Sequence, residues 1–320
     1  IGLRGRIVVV EIVHQFLDAN RVGAWQLVGS QQKVACLAVT RCIHIDRKSA
    51  QRMFGNSLEW VLGNRLEFVT RLAGPNTFRP WLAVFDTFDA DFVAHLRDAL
   101  DQHFPGKPVK WVIYSHNHLD HVRGSTGLDA QEVIGHQAVN EFVADWPKAI
   151  SDFAPVTRPV EGDTILNLGG VEVDFLYMPH SHSATLYGFH VREADVVYAP
   201  DMMFVKALPP FDFPDFYYPG YVRALDRLIA LDAAHYVPSH LDKGTRQDLI
   251  DYRNMTEKFH RTVAAHLAEN DYRAADGAAM RRAIGSAYDQ LAPEYGDWHG
   301  FNEMFVPKFG RHWGGVYLGY

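Results

Sequence analysis

Six consecutive residues, His116-Asn117-His118-Leu119-Asp120-His121, constrain this chain more than anything else in it. Four of the six carry a metal-ligating side chain. They follow directly on Val109–Tyr114, an apolar run of the kind that forms a strand buried on both faces. A loop leaving such a strand can turn all four side chains toward one point. Imidazole with carboxylate suits zinc, and also manganese or iron. The fold must therefore hold a polar cluster at a strand end and bury a sizeable core around it.

The material for that core is present: the chain has 320 residues, 48% of them hydrophobic. The formal net charge of −7 argues against nucleic acid as a partner, since gripping a phosphate backbone needs a basic face. The only two cysteines, Cys36 and Cys42, read as buried or free thiols in preference to a disulfide loop. No apolar run reaches the length of a membrane span, and Arg6–Val13 lacks the small-residue cleavage pattern of a secretory signal. The chain opens on Ile1 rather than Met, so an upstream segment is expected, and cytoplasmic placement is the default expectation.

Periodicity places the remaining elements. Arg6–Val13, Lys33–Thr40, Leu66–Leu72 and Trp81–Phe85 read as strands, so residues 1–65 form a β-rich leading part. Asp89 is a candidate N-cap for a helix with Phe92, Val93, Leu96 and Leu100 on one face, ended by Pro105-Gly106. Glu132–Gly135 reads as a strand and Gln137–Trp146 as a helix. Thr164–Leu168 and Val171–Met178 flank a Gly169-Gly170 hairpin turn. Strands at Leu186–Val191 and Asp195–Ala199, a helix from Tyr221 to Leu231 and a strand at His235–Pro238 follow. Strands then helix in both halves predict two stacked sheets with helices outside, an αββα sandwich. That catalytic unit is expected over residues 1–245. A helical extension over 246–320 would pack on it, serving as a lid or as a homodimer contact.

A single tight loop cannot satisfy two metals. Three further candidates each close a predicted strand: His182, Asp201 and His240. Strand ends on one edge of a sandwich converge, so these distant positions can meet the first cluster.

The pattern His116-x-His118-x-Asp120-His121 resembles the signature of the metallo-β-lactamase superfamily. The later pieces match in order over roughly residues 65 to 245: a His-Ser after a strand, Asp201 closing the next, and His240 after Val-Pro-Ser. The resemblance implies the metallo-β-lactamase fold and a two-metal site, most simply two Zn2+ with Mn2+ or Fe as alternatives. It implies that His116, His118 and His182 hold the first metal. Asp120, His121 and His240 hold the second, and Asp201 bridges. The third motif reads His180-Ser181-His182-Ser183; spacing to Asp201 favours His182, which leaves His180 to the pocket. Asp86, at its strand end, is a candidate to orient a ligating histidine or to cap a turn.

Two metals about 3.5–4 Å apart share a water and lower its pKa, which implies a metal-bound hydroxide nucleophile, with Asp120 as the catalytic carboxylate. An Asp at 201 is similar to the glyoxalase II, lactonase and phosphodiesterase branches rather than to true β-lactamases; phosphodiesterase, sulfatase or promiscuous β-lactamase activity on the same site is the alternative. The aromatic segment after it, with Phe204, Phe211, Tyr217, Tyr218 and Tyr221, reads as a substrate wall. The expected substrate is an ester, lactone or similar acyl small molecule with an apolar portion. A mono-iron persulfide-dioxygenase-like oxidoreductase and a non-catalytic binding protein are the rival readings.

Overall fold

The computed structural model describes residues 81–144, 152–209, 213–269 and 277–310. The expected strands before Trp81, both cysteines and Phe211 lie outside the described residues. The first described half runs β1 (Leu82–Phe85), α1 (Ala90–His103), β2 (Val109–Ile113), α2 (Leu119–Val122), β3 (Glu132–His136), α3 (Ala138–Ala144) and β4 (Arg158–Val160). The second runs β5 (Thr164–Leu168), β6 (Val171–Tyr177), β7 (Tyr187–Val191), β8 (Val196–Tyr198), α4 (Tyr218–Ile229) and β9 (His235–Val237). Helices α5 (Arg246–Glu269), α6 (Gly277–Tyr295) and α7 (Phe301–Met304) follow.

Strands β1 to β4 form a parallel sheet in sequence order, and β5 to β9 form a second sheet, antiparallel except for the parallel β8–β9 pair. Because successive strand residues face opposite sides, each sheet carries two apolar faces. Ala83, Phe85, Ile113 and Ile134 of the first sheet pack against Val173, Phe175, Phe189 and Tyr198 of the second, forming the core between the sheets. Leu82, Val84, Val112 and Val133 point the other way, onto Phe92, Val93 and Leu96 of α1 and Val139 of α3. On the far side, Leu176, Val197 and Tyr236 pack with Leu225 and Leu228 of α4 and with Tyr252, Phe259 and Ile284 of the C-terminal helices. The αββα sandwich is thus observed, and α5 and α6 share its third core. Among the described residues no helix is long and apolar enough to cross a membrane.

Local signals explain most boundaries. Asp89 caps α1, its carboxylate accepting from Phe92 N at 2.7 Å. Gly169 and Gly170, both at positive φ, make the β5–β6 turn, and Asn167 Oδ1 accepts from Gly170 N at 2.8 Å. Two expectations need correction. Helix α4 starts at Tyr218 rather than Tyr221, because Pro219 suits a first helical turn. Strand β4 was not among the expected strands; its Pro159 is tolerated because β4 is an edge strand.

Gly124, just past the histidine loop and α2, packs against the N-terminus of α1. Its φ is +75°, and a Cβ there would sit 2.2 Å from the Asp89 carbonyl oxygen. Gly106 has the same φ with open space around it. Replacing Gly106 by Ala is expected to cost about 1 kcal/mol from the backbone alone, and Gly124→Ala at least about 2 kcal/mol by chemical denaturation. Equal losses would contradict this close approach.

Candidate metal centre

The carboxyl-terminal ends of five strands deliver the site. β1 leads to Asp86, β2 to His116, β6 to His182, β8 to Asp201 and β9 to His240. Ligand sites at the carboxyl ends of strands are the rule in layered α/β folds. Asp86 and Asp201 both take left-handed backbone conformations, φ 56° and 54°, which Asp tolerates better than most residues and which turns each carboxylate sharply off its strand.

Two groups of side chains result. His116, His118, His182 and Asp201 each offer one ligand atom, all within 4.8 Å of one another, and Asp120, His121, Asp201 and His240 do the same. Asp201 is common to both. Its Oδ2 lies 3.4 Å from His116 Nε2, 3.0 Å from His121 Nε2 and 3.1 Å from His182 Nε2, while Oδ1 lies 3.2 Å from His240 Nε2. Asp120 Oδ2 is 2.9 Å from His240 Nε2 and 3.4 Å from His121 Nε2.

The supporting polar groups fix which atoms face inward. His121 Nδ1 contacts Asp86 Oδ2 at 2.8 Å, and that buried carboxylate also accepts from Ser115 N, Ser115 Oγ and Tyr198 OH at 2.6–2.7 Å. His116 Nδ1 pairs with Ser115 Oγ at 2.8 Å. Both histidines therefore turn Nε2 into the cluster, where these buried atoms lie near carboxylate oxygens but make no well-aligned hydrogen bond. Buried polar atoms are rarely left so. Asn117 ties the first loop to the His182 turn, its Oδ1 accepting from Ser183 Oγ at 2.8 Å and Thr185 Oγ1 at 2.7 Å. Ser239 holds Asp201 through both its backbone N–H and its carboxylate.

Electrostatics agree with a cation-binding role. Burial drives His116 well below its ordinary pKa, and the neighbouring His121 and His118 add to this, which leaves a neutral imidazole, the form that ligates. Burial alone would lower His121 too, but the carboxylates of Asp201, Asp120 and Asp86 outweigh it and push His121 well above its usual value. Burial would raise Asp201, yet His121, His240 and His182 hold it well below the carboxylate range. Three carboxylates around one buried imidazole call for positive charge there. Orphaned ring nitrogens, a shared carboxylate and a His/Asp donor set all fit bound metal ions.

His180 stands apart from both groups: it is exposed, with φ 51°. Of the aromatic segment, Phe204 and Tyr221 are fully buried and Tyr218 nearly so. Phe204 stacks on His240 at 6.4 Å and Phe213 meets His182 edge-on at 4.5 Å, so these rings pack directly against two of the candidate ligands. Tyr221 OH donates to the Asp201 backbone carbonyl at 3.0 Å. Tyr217 is the exposed member, at 51%. Exposed His299 meets the segment through its backbone: His299 N donates to Lys206 O and Leu208 N to His299 O. Sequence reasoning missed Asp215, whose Oδ1 lies 2.6 Å from His118 Nε2. One Asp in an aromatic loop carries no spacing signal.

Residues 82–240 match the family model described as the metallo-beta-lactamase superfamily, and the chain belongs to that superfamily. It is 29% identical over 156 residues, 48% of this chain and 46% of the relative, to the 2,4-dinitroanisole O-demethylase subunit alpha of Nocardioides sp. (strain JS1661). It is also 29% identical to the beta subunit, over 49% of this chain and 50% of that one. The chain thus spans about half the length of the curated relatives it matches. Among solved structures, a metallo-beta-lactamase from Pontibacter korlensis superposes with a TM-score of 0.50 at 16% identity, covering 57% of this chain and 84% of that one. A double mutant of the sec-alkyl sulfatase PisA1 gives 0.51 at 17%, covering 60% and 39%. Both likenesses show the fold alone.

Asp86 tests the supporting network. Asp86→Ala leaves the Ser115 N–H and Tyr198 OH buried without their acceptor, and is expected to cost about 3 kcal/mol or more in chemical denaturation of the metal-free protein. A loss below about 1 kcal/mol would contradict the network.

Proposed function

We propose that this protein is a metal-dependent hydrolase with a two-ion centre, and that zinc is the ion it takes. The observation that carries the reading is the pair of four-member ligand groups sharing Asp201. His116, His118 and His182 would hold the first ion, Asp120, His121 and His240 the second, with Asp201 bridging. When bound, such ions acidify a coordinated water and polarise a substrate oxygen.

The chain's own residues supply the rest. Asp120 is the ligand side chain most open to solvent, at 33%, whereas Asp201 is at 5% and His240 at 3%. It is placed to orient the nucleophile and to pass a proton to a departing oxygen. Two of the large apolar side chains left exposed flank this opening in the chain: Leu119 lies between His118 and Asp120, and Tyr217 N donates to Ser181 O beside His182. They form an apolar rim, with exposed His180 in the same strand-end turn, while Phe204 and Phe213 exclude water from behind.

The substrate is accordingly proposed as a neutral or weakly anionic small molecule in which an sp2 carbon bears an alkoxy leaving group. An ester or lactone adds water to give acid and alcohol. The relatives' name favours a second member of this class, an activated methyl aryl ether, in which water replaces methoxide at the ring carbon and yields phenol and methanol. The relatives are also named as subunits, which supports association with a second related chain or with a copy of this one, the C-terminal helices being the proposed contact.

Turnover of esters, lactones, nitro-substituted methyl aryl ethers, phosphodiesters and β-lactams by zinc-loaded protein in 18O-water tests the reading. One 18O in the acid or phenol product is expected, with methanol as the co-product of the ether. Turnover of phosphodiesters alone, or oxygen uptake with formaldehyde release, would contradict it. Tyr217→Ala and Leu119→Ala are each expected to raise KM about 5–10-fold for substrates with an aromatic portion, about 1 kcal/mol of apolar contact, with kcat little changed.

A further inference from the structure

Two carboxylates stand behind the cluster without joining either ligand group. Asp86 braces His121. Asp215 occupies the corresponding place behind His118. Its Oδ1 lies 2.6 Å from His118 Nε2, and its Oδ2 accepts from Ala184 N at 3.0 Å, two residues beyond His182. The other nitrogen of His118, Nδ1, faces His182 Nε2 at 3.0 Å.

We propose that Asp215 is a positioning residue of the metal centre: it holds His118 in the tautomer that turns Nδ1 toward the first ligand group, and it fastens the His182 turn to the same carboxylate. The proposal rests on the metal reading given above. An ionised carboxylate only accepts hydrogen bonds, so the short contact requires the proton of a neutral His118 on Nε2. The ligating lone pair then sits on Nδ1, beside His182 Nε2. The opposite tautomer would set two acceptors 2.6 Å apart. Further contacts lace the same two segments together: Tyr217 N donates to Ser181 O at 2.8 Å, and a Cβ at Gly220 would lie 1.6 Å from the His180 carbonyl oxygen. Asp215 thus links the loop after β2, the turn after β6 and the aromatic segment after Asp201, so the segment that reads as a pocket wall is also part of the scaffold for the first ion.

Asn is the informative replacement. Its amide has one acceptor atom, so it serves either Ala184 N–H or His118 Nε2–H. If the amide oxygen stays on Ala184, the NH2 group faces His118 and favours the tautomer protonated on Nδ1, which cannot ligate through that atom. Zinc affinity of the full chain, by chelator competition, is expected to fall about 10–100-fold in Asp215→Asn, the size usual for groups that orient a ligand. Its metal-free thermal midpoint is expected to stay close to that of wild type. In zinc-loaded wild type, imidazole 15N shifts are expected to show His118 ligated through Nδ1 and protonated on Nε2. Unchanged zinc affinity in a folded Asp215→Asn would overturn the proposal, and so would wild-type His118 ligated through Nε2, a result that needs no variant to fold. A wild-type chain that binds no zinc would instead remove the metal reading on which it rests.

Discussion

The meeting of Asp86, Asp120 and Asp201 around the buried imidazole of His121 is the interaction on which the rest of the site depends. Burying charge is expensive unless it is paired and hydrogen-bonded, and removing one partner from such a set costs more than the set contributes. That asymmetry accounts for the surroundings. Ser115 and Tyr198 satisfy Asp86, Ser239 satisfies Asp201, and Asn117, Ser183 and Thr185 lock the two histidine turns to each other. These partners come from the ends of four strands, β2, β6, β8 and β9, or the turns after them. The two sheets must therefore stack in one register for the network to close, which the apolar core between them enforces.

Much of this was legible in the sequence because it depends on local patterns. Buried parallel strands read as continuous apolar runs, the Asp89 cap and Gly169-Gly170 turn sit where their chemistry requires, and helix α1 shows its apolar face at helical spacing. The residues that meet in the two groups were legible for the same reason: His116 to His121 are contiguous, and His182, Asp201 and His240 each follow a strand. What the sequence concealed depends on long-range meeting. Asp215 contacts His118 across the fold, and nothing in its neighbourhood distinguishes it from a loop Asp on the surface. The surroundings of the aromatic segment were hidden for a related reason. Composition shows that Phe204, Tyr218 and Tyr221 are apolar, but only packing decides that they face the C-terminal helices and leave Tyr217 outside.

The C-terminal helices also bear on the site. Phe204 touches both His240 and Tyr252 of α5, and the backbone at His299 pairs with the chain at Lys206 to Leu208. The segment following Asp201 is therefore held from two sides, by the helices on one and by the histidine turns on the other. Around the two candidate ligand groups, Leu119, Tyr217 and His180 are exposed and Asp120 is partly open to solvent. Under the proposed function, variation at Leu119 or Tyr217 would change what is accepted without altering a member of either candidate ligand group.

Metal stoichiometry of the purified full chain tests the central claim most directly, measured by elemental analysis alongside His116→Ala. The account predicts close to two zinc ions per chain, with a clear loss in the variant. A single iron per chain retained with a one-ion stoichiometry, or no metal bound after exposure to zinc, would contradict it.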